Sequence, residues 1–291
     1  MRKLCLALVG LAMLCGRLCA QGVLEPHPYM QQGVVKHHDG AATVKADHAR
    51  PLNQAVAAVR EEYGWTVNYE DPPYQSKYGV MDMTNPKYRA EHPDAPVRLG
   101  PAGGAFQSTY PETPSMWNSS ATEQQVLEKV VSDYNKSGNP GNFTVSHLPD
   151  GNFDVIGDSI HNDTGAGVHI VPILDTPIYI PRATLSGYGV IQAILNALSA
   201  KTGVHMGIGL APDPLLGQAK FTLGGSNASA RALLMQVMDG LGRKYVWEFI
   251  YEPEPPEYIL VLLPVVRAEY GAFGEKRLIP VGPVAVPGGT Q

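Results

Sequence analysis

The chain has 291 residues, of which 44% are hydrophobic and 17% are charged, so it can bury a packed core. Its 31 glycines and 25 prolines favour two modest cores with long loops over one large core. The N-terminal segment described next holds three of the 22 basic residues. Without it, 19 basic residues face 27 acidic ones, and this net charge of −8 argues against binding to a nucleic-acid backbone.

The first 20 residues have the pattern of a secretory signal peptide. Arg2 and Lys3 form a basic start, an apolar run follows over 4–14, and Ala20 is a small residue suited to cleavage before Gln21. The apolar run is too short for a comfortable transmembrane helix, so we expect no stable membrane span in the mature chain. All three cysteines lie in this segment, which excludes disulfides and cysteine metal sites after cleavage. We therefore expect a secreted or periplasmic protein, with lipid attachment to one of these cysteines as the alternative.

A first helix-on-sheet module is predicted over 50–157, after an extended lead-in over 21–49 that has room for one strand. Pro51 opens a helix, since its missing N–H costs nothing at the first helical position, and Gly64 ends the helix. Alternating residues over 65–69 then predict a half-buried strand. The apolar face of the helix consists of Leu52, Val56, Val59 and Tyr63.

An insertion at about 71–117, rich in proline and tyrosine, interrupts this module. A connection this long inside a compact domain is usually functional or disordered. Short strands over 97–99 and 105–109 could form within it.

The first module resumes at a capping box, Thr122 to Gln125, which predicts the start of a second helix. Strands over 143–148 and 153–156 then form a hairpin through a strong turn sequence. A polar linker is predicted over 158–175, with an edge strand over 168–174.

A second module is predicted over 176–264, followed by an exit segment over 265–291 that ends in a Pro/Gly-rich tail. Its elements come in the order strand, helix, strand, strand, helix and two strands. Their predicted bounds are 178–180, 190–201, 205–210, 220–223, 229–241, 244–251 and 258–263.

The two modules repeat the same order of helix, glycine, strand, helix and hairpin. The apolar positions of their first helices match at a constant offset of 139 residues, and those of their second helices match at 107. The difference, 32 residues, is the extra length of the first copy and falls in the insertion. The sequence therefore predicts an α+β fold of two small modules of β-α-β-β-α-β-β type, related by internal duplication, the first with a long insertion.

The second module resembles the STN domain, the short N-terminal domain of secretins and TonB-dependent receptors. The resemblance is carried by the strand Ile178–Pro181, the Ala/Leu-rich helix that ends at Thr202–Gly203, the loop Pro212–Gly217, Phe221–Leu223 and the helix Ala232–Leu241. It covers about 176–264, with a degenerate copy at 50–157. The chain departs from the family pattern at Gly240–Arg243, where the family has a tight Gly-Thr-Gly turn. The resemblance implies a periplasmic interaction module and not a catalyst.

The aromatic side chains in and beside the insertion are the candidate binding residues, because aromatic rings supply contact area at low entropic cost. The alternative is that they pack over the first module's sheet. These residues are Tyr74, Tyr78, Tyr88, Phe106, Tyr110 and Trp117.

The sequence contains no strong motif for a metal, a cofactor or a catalytic centre. The histidine pairs His37–His38 and His161 with His169 lack a spacing that forces ligands to converge, which indicates solvated side chains. Asp150–Asp154 opens like a calcium loop but lacks the glycine and the final glutamate of that motif. The chain also lacks the Gly-x-Ser-x-Gly pattern of a nucleophile elbow.

We therefore expect a non-enzymatic interaction module of the cell envelope that binds a protein partner through sheet edges or the insertion. One alternative is an extracytoplasmic hydrolase that uses carboxylates such as Glu70 and Asp71. Another is a small-ligand binder in the groove between the modules.

Overall fold

A computed structural model describes residues 33–47, 49–113, 120–148, 151–242 and 245–281. The predicted signal peptide, its cleavage site at Ala20 and Gln21, and the candidate Trp117 lie outside these ranges. Within them the chain is an α+β protein, as the sequence indicated. None of the helices in the described ranges is both long and apolar enough to cross a bilayer.

The first module follows the predicted order, with additional short strands. Its elements are β1 (Val34–His38), β2 (Ala41–Ala46), α1 (Pro51–Tyr63), β3 (Val67–Glu70), β4 (Val80–Asp82), α2 (Pro86–Glu91), β5 (Leu99–Pro101), β6 (Phe106–Pro111), α3 (Ser120–Asn135), β7 (Asn142–His147) and β8 (Phe153–His161).

The linker contains β9 (Gly167–His169) and a 3₁₀ turn (Ile173–Asp175). The second module follows the predicted order with one additional helix, α5 (Asp213–Gln218), and a hairpin comes after it. Its elements are β10 (Pro177–Ser186), α4 (Gly187–Thr202), β11 (His205–Ile208), α5, β12 (Lys220–Ser229), α6 (Ala230–Gly240), β13 (Tyr245–Pro253) and β14 (Pro256–Pro264). The hairpin consists of β15 (Val266–Tyr270) and β16 (Lys276–Pro280).

The ends of α1 form as the sequence predicts. Pro51 occupies the first turn, and Gly64 adopts φ 76° at the C-cap, where its N–H donates to the carbonyl of Arg60. That left-handed conformation suits glycine because it carries no Cβ. The apolar face is buried, with Leu52 and Val59 both fully inaccessible.

One seven-stranded sheet contains strands of both modules. Its strand order is β11-β14-β13-β3-β8-β7, and β9 pairs with the end of β8. In the first module β3 pairs parallel with β8, which pairs antiparallel with β7. In the second module β11 pairs parallel with β14, which pairs antiparallel with β13. The two halves of the sheet therefore have the same internal order.

The strands that precede the helices form a second layer in each module. In the first module β2 pairs antiparallel with β6 and carries β1 on its other edge. In the second module β10 pairs antiparallel with β12 in a two-stranded sheet. This shared topology is what the proposed internal duplication would produce.

The modules meet where β13 pairs parallel with β3, through the residue pairs Glu248–Tyr69 and Phe249–Glu70. The sequence indicated two modest cores, but the buried side chains of both modules form one contiguous cluster. All four residues of β3 are buried, so both of its faces are covered, and the strand lies between β13 and β8. The predicted half-buried strand is instead a fully buried central one.

Two segments beside the predicted modules contain more structure than expected. The lead-in forms the β1–β2 hairpin, and the predicted exit segment forms the β15–β16 hairpin. These strands are short, and their pairing partners are what stabilises them, so local composition carried little signal.

Three local predictions were wrong in detail. The edge strand expected over 168–174 is limited to β9, which pairs with the end of β8, and a 3₁₀ turn occupies Ile173–Asp175. Helix α3 begins at Ser120, so Thr122 lies inside its first turn and is not the N-cap of a capping box. The loop expected over Pro212–Gly217 instead contains helix α5.

Candidate functional site

Three of the candidate aromatic residues belong to the interior. Tyr74 and Tyr110 are 2% and 1% exposed, and Phe106 is also buried. Phe106 packs edge-to-face on Tyr134 at 5.5 Å between ring centroids. Burial alternates along β6, so every second side chain points inward and the others point to solvent. These three side chains are therefore part of the packed interior and do not form an exposed surface.

The middle of the insertion is exposed. Tyr78 is 47% exposed and Tyr88 is 50% exposed, and Met81 and Val97 nearby are also exposed. Helix α2, which carries Tyr88, contains no buried residue. The insertion therefore has buried aromatic residues near its two ends and exposed apolar side chains between them.

This exposed part is ordered by local contacts. Asn85 caps α2 by accepting hydrogen bonds from the backbone N–H groups of Lys87 and Tyr88, at 2.9 and 3.3 Å. Arg89 donates to Asp82 at 2.8 Å, and β4 pairs with β5. These contacts hold the exposed side chains on a defined backbone.

The two carboxylates of the hydrolase alternative are buried and paired. Glu70 bonds to Arg231 and accepts from the backbone N–H of Leu174, at 3.1 Å. Burial raises the pKa of Glu70 to about 7, although Arg231 acts to lower it. Asp71 is bonded to Arg50 at 2.7 Å, and burial likewise raises its pKa against the opposing effect of that arginine. Both carboxylates are at most 1% exposed, and each is paired with an arginine.

Arg231 brings together carboxylates from separate elements. From α6 in the second module it bonds to Glu70 of β3 and to Asp154 of β8, the latter at 3.0 Å. It also bonds to Asp175 at 2.7 Å. Its guanidinium lies 5.6 Å from the centroid of the Trp247 ring, within the range of a cation–π contact. Arg231 therefore connects the second module's helix to the first module's strands.

Side chains of β3 and the residue that follows it extend the short β13–β3 pairing at both ends. The carboxamide oxygen of Asn68 accepts from the N–H of Trp247 at 3.0 Å. The carboxylate of Asp71 accepts from the N–H of Tyr251 at 3.1 Å. The backbone pairing of β13 with β3 covers only two residues. The N–H groups of Trp247 and Tyr251, beyond that pairing, therefore donate to side chains instead.

We call this set of contacts the junction. It consists of Arg50, Arg60, Asn68, Glu70, Asp71, Asp154, Arg231 and Glu248, of which Arg60 and Glu248 form a further buried ion pair at 2.9 Å. The sequence left open a ligand-binding groove between the two modules. The buried side chains of the junction pack at that boundary.

The histidines have different environments. His37 is fixed between two glutamates, with Nε2 at 3.1 Å from Glu62 and Nδ1 at 2.9 Å from Glu112. The side chain is 38% exposed and therefore solvated as expected, but β1 places it beside α1, where it bonds to both carboxylates. His161 and His169 lie on paired strands β8 and β9. Among the described residues, no group of three or more potential ligands could hold a metal ion.

We expect His37 to stabilise the fold in a pH-dependent manner. Burial lowers its pKa, but the hydrogen bonds and charges of Glu112 and Glu62 outweigh that effect and raise the pKa above its ordinary value. The stabilisation is therefore complete below the unfolded-state pKa and is lost as pH rises through the higher folded-state pKa. Because the side chain is 38% exposed, His37→Gln should cost less than about 1 kcal/mol at about pH 5.5 and almost nothing at about pH 8.5. Thermal unfolding at both pH values measures this, and an equal loss at both would contradict it.

The free edges of the seven-stranded sheet are β7 and β11. At β7 the side chain of Asn135 donates to the carbonyl of Phe143 at 2.9 Å and accepts from its N–H at 3.0 Å. That carboxamide occupies positions that a pairing strand would use, which weakens β7 as a site of strand addition.

No protein-family model matches this chain, and comparison with curated proteins and with solved structures finds no match.

Proposed function

We propose that this protein is an exported binding protein of the cell envelope that captures a protein partner with its insertion. The observation that carries the proposal is the exposure of Tyr78, Met81 and Tyr88 within one short segment. Exposed aromatic and methionine side chains are the residue types that are enriched in protein interfaces and supply their anchors. The resemblance of the second module to STN domains supports a location in the cell envelope.

The insertion presents these side chains at low entropic cost. Tyr74 before them and Tyr110 after them are buried, and β4, α2 and β5 are ordered by their own hydrogen bonds. A segment that is already ordered loses less conformational entropy on binding than a flexible one. The buried pairing of Glu70 and Asp71 with arginines also favours binding over the hydrolase alternative.

The prediction is that Tyr78→Asp and Tyr88→Asp weaken partner capture without lowering the melting temperature. Both side chains are about half exposed, so a charge there disturbs an interface but not the core. The measurement is affinity capture from the protein's own cell envelope, with photo-crosslinking from position 88 to identify the partner.

Tyr188→Asp is the matched control, since Tyr188 is 41% exposed and lies on α4, outside the insertion. It should capture the partner as well as the wild type does. Retention of the crosslinked partner by Tyr78→Asp and Tyr88→Asp would remove the insertion from the binding surface.

A further inference from the structure

Equivalent strands of the two modules differ in what covers their outer edge. In the first module the edge of β2 is covered by β1, which pairs antiparallel with it through contacts such as His37 opposite Ala42. In the second module β10 occupies the same place in the topology, and within the described ranges it pairs with β12 alone. Among the described strands, β1 of the first module therefore has no counterpart on the second.

The first helices of the two modules align in sequence, position by position, at the offset of 139. Leu52 and Ile191 are both buried, as are Val59 and Leu198. The glycines that end the helices adopt the same left-handed conformation, with φ 76° at Gly64 and φ 77° at Gly203. Positions on α1 and α4 can therefore be compared directly.

One row of α1 lies against β1 and is buried. Gln54, Ala58 and Glu62 are 8%, 2% and 1% exposed. A Cβ at Gly33, just before β1, would lie 2.6 Å from the carbonyl oxygen of Gln54, and His37 of β1 bonds to Glu62. Tyr270 and Lys276 of the β15–β16 hairpin also bond to Glu62 and contribute to its burial.

Among the described residues, the equivalent row of α4 is more accessible. Ala193 and Ala197 are partly accessible and Lys201 is exposed. Beside this row and the start of β10 lies an open groove of about 480 Å³. Its lining residues are Pro177, Ile178, Tyr179, Ala197, Ala200, Lys201 and Asn227. The groove therefore lies on the part of α4 that is equivalent, through Ala197 and Lys201, to the row of α1 that packs against β1.

The charge at the end of the row is reversed between the modules. Glu62 binds the imidazole of His37, whereas the equivalent Lys201 is in none of the ion pairs formed by the described residues. A strand that fits this groove therefore needs a negative group where β1 carries His37. Tyr179, 68% exposed at the rim, adds an aromatic contact surface.

We propose that this groove, which we call the β10 groove, binds an extended acidic peptide segment of a partner protein. The segment pairs antiparallel with β10, as β1 pairs with β2, and places a carboxylate near Lys201. Pro177 and Pro181 of β10 have no N–H, so the edge offers fewer donors than an unbroken strand and side-chain contacts in the groove supply part of the affinity. The site is separate from the insertion and does not depend on the function proposed for it.

The test uses two fluorescein-labelled peptides that copy residues 33–39, one with His37→Glu and one with His37→Lys. Fluorescence anisotropy with the full mature chain gives their dissociation constants. We expect the His37→Glu peptide to bind about fivefold more tightly than the His37→Lys peptide, the size of an exposed ion pair exchanged for a repulsion. Lys201→Glu in the protein should reverse this order.

Two further variants locate the peptide. Ala197→Trp fills the groove at a partly accessible position and should abolish binding of either peptide while the melting temperature stays unchanged. Lys220→Glu changes the same charge at the opposite end of the β10–β12 sheet, where Lys220 pairs with Ser186, and should leave both affinities unchanged.

Three results would overturn the proposal. The first is no binding of the His37→Glu peptide at millimolar concentration. The second is binding that is indifferent to Lys201→Glu and Ala197→Trp, which would place the peptide elsewhere, for example in exchange with β1. The third is self-association of the chain that Ala197→Trp abolishes, which would make a second copy the occupant of the β10 groove.

Discussion

Replacing Arg231 with methionine is expected to lower the free energy of unfolding by about 3–5 kcal/mol. Methionine retains much of the arginine side chain's apolar volume, so the change mainly removes the charge. Glu70 and Asp154, both fully buried, are then left without their counter-ion. An unpaired buried charge costs far more than the net contribution of the intact pair.

The loss should grow with pH. The pKa of Glu70 is already raised to about 7 by burial and rises further when Arg231 is removed, so Glu70 is neutral in the variant at low pH. For a carboxyl group whose folded-state pKa lies above its unfolded value, stability is present below the unfolded pKa and lost as pH rises through the folded one. Urea unfolding of wild type and variant at about pH 5 and about pH 8 therefore gives the smaller difference at the lower value.

Arg277→Met is the matched control. Arg277 is 76% exposed and contacts Glu275 only at 4.0 Å, so its loss should change stability by less than about 0.5 kcal/mol. Adding Glu70→Gln to Arg231→Met should recover part of the loss, since it removes one of the unpaired charges. A loss from Arg231→Met no larger than that of the control would show that the junction does not stabilise the fold.

Replacing Asp71 with alanine should cost about 3–4 kcal/mol. The guanidinium of Arg50, which is 7% exposed, keeps only the partly exposed Glu252 as an ionic partner. The hydroxyl of Tyr69 and the N–H of Tyr251 also lose their acceptor, at 2.8 and 3.1 Å in the wild type. Chemical denaturation measures the loss, and hydrogen exchange at the Tyr251 amide should accelerate because that amide is released.

Asp71→Asn separates the charge from the hydrogen bonds. The carboxamide retains one acceptor oxygen, so the expected loss is smaller than that of alanine. Asp82→Ala serves as the control in the same insertion, because the Asp82–Arg89 pair is exposed and contributes little. Unchanged hydrogen exchange at Tyr251 in Asp71→Ala would contradict the assigned role of this carboxylate.

The elements that the sequence predicted are those specified by local signals. Helix α1 has Pro51 at its start, Gly64 at its end and an apolar face at helical spacing, and it forms with those bounds. The second helix of the second module forms within one residue of its predicted bounds. The β7–β8 hairpin also forms, although β8 extends to His161, beyond the predicted end at 156. Local chain preference and burial agree in these elements.

The junction was not predicted because nothing local specifies it. Residue patterns indicate which face of a strand is buried but not which strand lies beside it, so β13 next to β3 could not be read from either strand. One signal was present: Arg231 shares the buried face of α6 with Leu234 and Met238, at helical spacing. A buried arginine needs a buried carboxylate, and Glu70 and Asp71 at the end of β3 were candidates.

The sequence distinguishes buried from exposed side chains for only some of the candidate binding residues. Phe106 and Tyr110 are separated by an even number of positions in a strand, which would have predicted that both face the same way, and both face inward. Tyr78 and Tyr88 carry no comparable pattern, and their exposure follows from the fold of the insertion. The opposite charges of Glu62 and Lys201 are visible in the sequence. Their relevance to what packs beside each helix follows only from the contact of β1 with α1, in which His37 bonds to Glu62.

The position of β13 beside β3 has a consequence for the order in which the chain is made. Asp71 and its backbone partner Tyr251 are 180 residues apart. Strand β3 therefore cannot pair with β13 until most of the protein has been synthesised. Contacts of such separation slow folding, because the ends of a long loop must meet before their interactions repay the lost entropy. A chain that ends before β13 therefore leaves one edge of β3 without the strand that pairs with it in the complete protein.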